Sequence, residues 1–138
     1  MLTVEKVLFL SKVDLFADLS PRDLGRIARI AQEQVVPDGH TIFQAGDHGE
    51  ELFVIVGGEV TASRNGDVIG VLREREYFGE MAVLTGETRS ATIRAAADCR
   101  LLRIGQAEFH DMLADNFDAV LSVIRTLCRR LPQPDRPA

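Results

Sequence analysis

An acid, an arginine and several small residues lie close together between Phe78 and Ala95. Gly79 has no side chain, so the backbone there can approach a ligand closely. Residues 80–84 can form one helical turn, and the free N–H groups at the start of a helix bind phosphate. Arg89 adds a planar, permanently charged group that suits phosphate, and Glu80 fits beside it if it accepts a hydrogen bond from a ribose hydroxyl. Together these residue types indicate a ribose-phosphate site.

The same two charged side chains allow a different interpretation. Glu80 and Arg89 are nine residues apart, and they could form a buried structural ion pair, which by itself indicates no function. Ser90 has no histidine or lysine placed to activate it as a nucleophile, so we predict no catalytic residue and no enzyme activity. No metal site is predicted either, because the spacing of a cupin-like site is missing from the histidines at His40, His48 and His110.

The elements around this segment form three blocks along the chain. Ser20 and Pro21 start a helix, with serine as the N-cap and proline at the first helical position. From about residue 35 the apolar runs become short and β-branched, and Asn65-Gly66 is a strong hairpin signal. After residue 104 the apolar residues again recur at helical spacing. We predict an α+β fold in which an antiparallel β-roll, a jelly-roll-like sandwich, is flanked by N-terminal helices and a C-terminal helix pair.

The predicted boundaries follow these changes of period. A single domain is expected over residues 1–131, with an N-terminal helical part at 1–34, the β-roll at 35–104 and the C-terminal helices at 105–131. Three prolines then predict a disordered tail at 132–138.

The last predicted helix carries an apolar stripe at helical spacing. Such a stripe is expected either in the core or at a dimer interface. Its members are Phe117, Val120, Leu121, Ile124, Leu127 and Leu131.

Composition excludes several functions. The chain has 138 residues, of which 46% are hydrophobic, and its net charge is −5. It therefore lacks the excess of basic residues that is typical of a nucleic-acid-binding protein. Its apolar runs are too short to cross a bilayer, and no secretory leader is recognisable. Only two cysteines are present, which fits a reducing compartment. We therefore expect a cytoplasmic protein that binds no nucleic acid through this chain and does not insert into membranes.

The segment 78–95 resembles the phosphate-binding cassette of cyclic-nucleotide-binding domains, which occur in the catabolite activator protein, the kinase A regulatory subunits and cyclic-nucleotide-gated channels. An upstream stretch, from Ile42 through Gly46-Asp47 and Gly49 to Gly58, is similar to the glycine pattern of that family. The resemblance covers about residues 14–131. One departure is Arg75, where the family often has a turn glycine.

The resemblance implies a role for each residue of the cassette. Glu80 would hold the ribose 2′-OH and Arg89 the cyclic phosphate, while the hydroxyl of Ser90 would meet the phosphate or a syn guanine. The phosphate cradle would be completed by main-chain groups around Gly79, Met81, Ala82, Ser90 and Ala91.

The base needs walls that the cassette does not supply. Ile69 and Val71 of a neighbouring strand are expected to form one wall. By resemblance, the last helix supplies the other as a movable lid, through Arg125 and Arg129 together with Ser122 and Thr126.

The predicted function is a regulatory module that binds cAMP or cGMP, with cAMP favoured, and signals by moving its C-terminal helices. No cofactor is expected beyond that ligand. A homodimer or attachment to a larger effector is the expected assembly. Two alternatives stay open: a docking or scaffold domain that binds no ligand, and the sensor fragment of a larger transporter, channel or transcription regulator.

Overall fold

The computed structural model describes residues 1–131, in which two helical blocks enclose a block of strands. The predicted tail at 132–138 lies outside the described residues. Two helices and a 3-10 turn come first: α1 (Thr3–Leu10), the turn Asp14–Phe16 and α2 (Pro21–Ile30). The strands and the helix inserted among them are β1 (Gln32–Val36), β2 (Thr41–Phe43), β3 (Glu51–Gly57), β4 (Glu59–Arg64), β5 (Asp67–Arg73), β6 (Tyr77–Phe78), α3 (Glu80–Thr85), β7 (Thr92–Ala95) and β8 (Cys99–Gly105). The chain continues with α4 (Gln106–Ala114) and α5 (Phe117–Arg130).

The strands form two four-stranded antiparallel sheets, in the orders β1-β8-β3-β6 and β2-β7-β4-β5. The hairpin between β4 and β5 lies where it was predicted, because Arg64 pairs with Asp67 across the turn. Asn65 and Gly66 both have positive φ, 54° and 84°, as a two-residue hairpin turn requires. The predicted α+β fold with an antiparallel β-roll is confirmed.

Local signals explain where α2 begins, but not where the roll begins. The Oγ of Ser20 accepts a hydrogen bond from the backbone N–H of Asp23 at 3.2 Å, which caps the helix. The helix ends at Ile30, and β1 starts at Gln32, three residues before the predicted boundary. Every residue of β1 pairs with β8. This pairing between distant segments makes a strand of a polar sequence that has no strand-like alternation of its own.

Two apolar clusters hold the layers together. Between the sheets, the rings of Phe53 and Phe78 stack with their centroids 5.1 Å apart, and Phe43 packs against both. Beneath the helices, Phe16 meets Phe109 edge-to-face at 6.2 Å. One apolar cluster therefore joins the two sheets of the roll, and the other joins the roll to the helical blocks.

The last helix packs with a different face from the one its apolar stripe predicted. The buried residues of α5 are Ala119, Ser122, Val123 and Thr126, whereas Phe117 is 74% exposed. Small residues let the helix approach the 3-10 turn closely, and the hydroxyl of Thr126 bonds the carbonyl oxygens of Ser122 and of Asp14 in that turn. Of the two alternatives for the stripe, the core does not hold all of its members, and its role as a dimer interface stays a prediction.

The helices are also short. At 14 residues, α5 is the longest of them, and within residues 1–131 no helix has both the length and the apolar character needed to cross a membrane.

Candidate functional site

A cavity of about 260 Å³ opens beside α3, at the cassette segment. All the residues predicted to form the ligand cradle line it. They are Gly79, Glu80, Met81, Ala82, Arg89, Ser90 and Ala91. The structure therefore brings together the residues that the sequence singled out, and their contact with a ligand stays a prediction.

The start of α3 depends on Gly79. This residue has φ of 86°, a left-handed conformation that glycine adopts without strain. A β-carbon here would lie 2.7 Å from Nη1 of Arg89 and 2.8 Å from the carbonyl oxygen of Glu51. Only glycine therefore lets α3, β3 and the arginine meet at this point.

Arg89 is buried at the cavity, with a relative exposure of 6%. Its Nη2 donates to the carbonyl oxygen of Glu51 at 2.9 Å, its Nη1 to that of Gly79 at 3.3 Å, and its guanidinium lies 4.0 Å from the centroid of the Phe43 ring. Burial lowers the pKa of Arg89, although nearby acids, Glu51 first, act in the opposite direction. The Nε is buried without a hydrogen-bond partner among the described residues. Neutral groups thus hold this cation in place and leave its charge available to an anion.

Glu80 lies at the first position of α3 and lines the same cavity. Burial raises the pKa of its carboxyl, against the effect of a hydrogen bond from its own backbone and of the positive charges of Arg130 and Arg89. In the part of the chain that the structure describes, no ion pair within 4.0 Å joins Glu80 to Arg89. The structural ion pair considered from the sequence is therefore not formed.

The loop before β3 also shapes the site, a role that sequence reasoning did not assign to it. The backbone N–H of Gly46 donates to the carbonyl oxygen of Arg89, and the backbone N–H of Arg89 donates to that of Asp47, both at 2.8 Å. Gly49 lies directly against the Arg89 side chain. The packing partner of Gly49 is therefore the cavity arginine itself.

The structure places one of the two predicted wall residues of β5 at the cavity, and contact of either residue with a base stays a prediction. Ile69 lines the cavity, but the second β5 residue that does so is Leu72 and not Val71. A register shift between β4 and β5 leaves Ile69 without a paired residue. Such a bulge breaks the two-residue alternation of the strand, so residues two apart no longer share a face.

The last helix reaches the cavity through a residue that was not predicted. Arg130 lines it, with its guanidinium 4.3 Å from the centroid of the Tyr77 ring. Arg130 follows Thr126 by one helical turn, so it continues the buried face of α5. The spacing of small residues along α5 was the signal that could have identified it.

The other two helix residues assigned to the base wall lie elsewhere. Arg129 pairs with Asp14 and Asp18, at 3.8 and 3.7 Å, and Arg125 is exposed beside a different groove, next to Asp18. In this arrangement of the helix Arg125 and Arg129 therefore do not line the cavity, and neither do Ser122 and Thr126, which are buried. Their contact with a base stays a prediction.

Tyr77 also lines the cavity, with its ring under the guanidinium of Arg130. Burial raises its pKa to about 12. Its hydroxyl is buried and makes no hydrogen bond with any described residue.

Comparisons with known proteins identify this architecture. A family model described as the cyclic nucleotide-binding domain matches residues 33–116. The chain is 35% identical over 113 residues to a cyclic nucleotide-gated potassium channel of Mesorhizobium japonicum, covering 82% of this chain and 31% of the channel. It is 29% identical over 131 residues to a cAMP-dependent protein kinase regulatory subunit of Aspergillus niger, covering 94% of this chain and 30% of the subunit.

A solved structure agrees with these relatives. The regulatory domain of Toxoplasma gondii PKA, co-crystallised with cAMP, superposes with a TM-score of 0.75 at 27% identity, over 80% of this chain and 44% of that one. The chain spans about a third of the length of the curated relatives named above. Because the family match covers more than half of the sequence and includes the cavity at α3, the chain belongs to the cyclic nucleotide-binding domain family.

Proposed function

We propose that this chain is a regulatory sensor that binds a cyclic nucleotide monophosphate in the cavity beside α3. The observation that carries the proposal is the environment of Arg89. Its guanidinium is buried against carbonyl oxygens and an aromatic ring, and its Nε has no partner among the described residues. A buried cation is costly unless it is paired, and a cyclic phosphate would supply the missing anion.

The remaining contacts follow from the positions of the cavity residues. Arg89 and the main chain around Gly79, Met81 and Ala91 would hold the phosphate. The carboxylate of Glu80 would accept the ribose 2′-OH. The base would pack against Ile69 and Leu72, and Arg130, over the ring of Tyr77, lines the same cavity.

The ligand we propose to test first is cAMP, which is named for the Aspergillus subunit and for the Toxoplasma structure. The sequence also favoured cAMP, and cGMP is the alternative. We propose that the chain has no catalytic chemistry and needs no cofactor. In the proposed function the ligand acts in the cytoplasm and changes the position of α5, and the effector is a larger protein, as the channel and the kinase subunit are.

Calorimetric titration with cAMP and with cGMP tests the proposal. We expect saturable binding with one site per chain, and binding at least about tenfold weaker in Arg89→Lys, because an ammonium group cannot form the two parallel hydrogen bonds of a guanidinium. Arg94→Lys is the matched control, since Arg94 lies on β7 outside the cavity and its Nε also donates to a carbonyl oxygen, that of Gly39, at 2.9 Å. A folded chain that binds neither nucleotide would favour the docking or scaffold alternative.

A further inference from the structure

Arg64 is a second arginine at the cavity, and the contacts proposed above do not use it. It is the last residue of β4, directly before the Asn65-Gly66 turn. Its Nε donates to the backbone carbonyl oxygen of Ser90 at 2.9 Å, and the residue lines the cavity. The lining of the cavity therefore includes a cation that is hydrogen-bonded to the cassette.

The guanidinium of Arg64 keeps most of its hydrogen-bonding capacity. An arginine has five N–H donors, and the bond to Ser90 uses the one on Nε. Asp67 lies opposite Arg64 in the ladder, yet no carboxylate among residues 1–131 lies within 4.0 Å of the Arg64 guanidinium nitrogens. The donors on the two Nη atoms are thus available to a ligand that enters beside Ser90.

The strands next to Arg64 leave room for a flat group. Ala62 of β4 pairs with Gly70 of β5, and a β-carbon placed on Gly70 would meet nothing within 4 Å. Ile69 and Leu72 add apolar surface to the same side of the cavity. A planar ring that packs against these residues would share the cavity with the Nη donors of Arg64.

We propose that Arg64 determines base specificity by donating to the purine edge that carries N7 and the 6-substituent, and that it favours guanine over adenine. This inference rests on the proposed function of the cavity. Guanine offers two acceptors at this edge, N7 and O6, and arginine binds that pair with two hydrogen bonds. Adenine offers N7 beside an amino group, which is itself a donor and opposes the guanidinium. The affinity ratio of the native chain therefore lies further towards cGMP than that of a chain without Arg64.

Ser90 would contact a different part of the base, so the effects of Ser90 and Arg64 on affinity can be distinguished. The hydroxyl of Ser90 would accept from the 2-amino group of a syn guanine, whereas Arg64 needs O6. Cyclic IMP has O6 and N7 but lacks the 2-amino group. It therefore responds to Arg64 and not to Ser90.

The test measures the affinity of cAMP, cGMP and cyclic IMP for the native chain, Arg64→Ala and Arg94→Ala. In Arg64→Ala we expect both cGMP and cyclic IMP to bind about tenfold more weakly, while cAMP stays within about twofold. Retained binding of cAMP also shows that the variant is folded. Arg94→Ala removes another exposed arginine that donates to a carbonyl oxygen in the same sheet, and it should change none of the three affinities.

Each contrary outcome has a distinct meaning. An equal loss for all three nucleotides would show that Arg64 only braces the cassette through Ser90, and would overturn the inference. Unchanged affinities in Arg64→Ala, or a native chain that binds cAMP but neither oxo-purine nucleotide, would also overturn it. Failure of the native chain to bind any of the three would instead overturn the proposed function itself.

Discussion

A β-carbon placed on Gly49 would lie 2.0 Å from Nε of Arg89. That separation is far inside any nonbonded contact, so an alanine and the present position of the arginine exclude each other. Gly49 therefore shapes the cavity by positioning Arg89, although Gly49 itself does not line the cavity. Its missing side chain makes the space that the guanidinium occupies.

Gly49→Ala should disable the site and leave the fold intact. The colliding atoms belong to the far end of a flexible side chain, so Arg89 would swing away without moving the backbone. We expect cyclic-nucleotide affinity to fall at least about tenfold, as for a lost charge-assisted contact, with little change in the thermal midpoint of unfolding.

Gly57→Ala is the control for this change, because a β-carbon on Gly57 meets nothing within 4 Å. It should bind nucleotide as the native chain does. Native affinity in Gly49→Ala, measured by calorimetry, would mean that the guanidinium has a second position that serves the ligand equally well.

The charge of Glu80 should reduce the stability of the unliganded chain at neutral pH. Burial raises the pKa of this carboxyl above its ordinary value of 4.5, so the folded chain holds a proton at a pH where the unfolded chain has lost it. The free energy of unfolding then falls as pH rises through the window between the two pKa values. Glu80→Gln removes this titration. It should therefore unfold at a higher temperature than the native chain at neutral pH, and the difference should narrow as the pH is lowered.

Thermal melts from about pH 8 to about pH 5 measure this effect. Glu87→Gln, a change of an exposed acid in the loop after α3, is the control and should follow the native curve. A stabilisation by Glu80→Gln that does not vary with pH would have to come from packing and not from the buried charge.

Residues with local signals were predictable from the sequence, and residues whose placement depends on distant contacts were not. Ser20 and the Asn65-Gly66 turn specify their own conformation, and the cassette was identified by its similarity to a known family. Val71 does not line the cavity, because a bulge interrupts the alternation of β5. The packing face of α5 was not predictable from its apolar stripe, because close approach to the turn at Asp14 selects the small residues.

Arg75, the one departure from the family pattern noted in the sequence, has a left-handed backbone with φ of 73°. Its N–H donates to the carbonyl oxygen of Ile55 at 2.9 Å, which fixes the turn before β6. A side chain in this conformation costs about 1 kcal/mol, which glycine does not incur. Arg75→Gly should therefore raise the thermal midpoint by roughly 2–4 °C and leave nucleotide affinity unchanged, since Arg75 does not line the cavity.

Arg73→Gly is the comparison for that variant. Arg73 lies in β5 and pairs with Glu59, so glycine there should destabilise the chain. If Arg75→Gly also lowers the midpoint in calorimetric scans, contacts of the arginine side chain outweigh the backbone strain.

The C-terminal turn of α5 is the part of the helix that should respond to ligand. The middle of the helix is already buried through Ser122, Val123 and Thr126. Its end, by contrast, is held by Arg130, which lies over Tyr77 at the cavity and also approaches Asp14 at 3.5 Å. Arg130 therefore touches both the N-terminal block and the cavity that would hold the ligand. A ligand that contacts Arg130 shifts the equilibrium between the attached and detached states of this turn. The size of the shift is limited by the difference between the ligand's affinities for the two states.

Hydrogen exchange tests this lid. On addition of cAMP, backbone amides of residues 127–131 should exchange several-fold more slowly, while those of residues 117–123 should change little because they are packed in either state. Arg130→Ala should abolish the protection at 127–131 and keep the protection at 78–95, since the cassette binds the phosphate without the helix. If the native chain gains protection only at 78–95, α5 is a fixed part of the domain. The signal would then leave the cavity through α3, whose Val83 carbonyl oxygen lies 2.7 Å from Nε2 of His110 on α4.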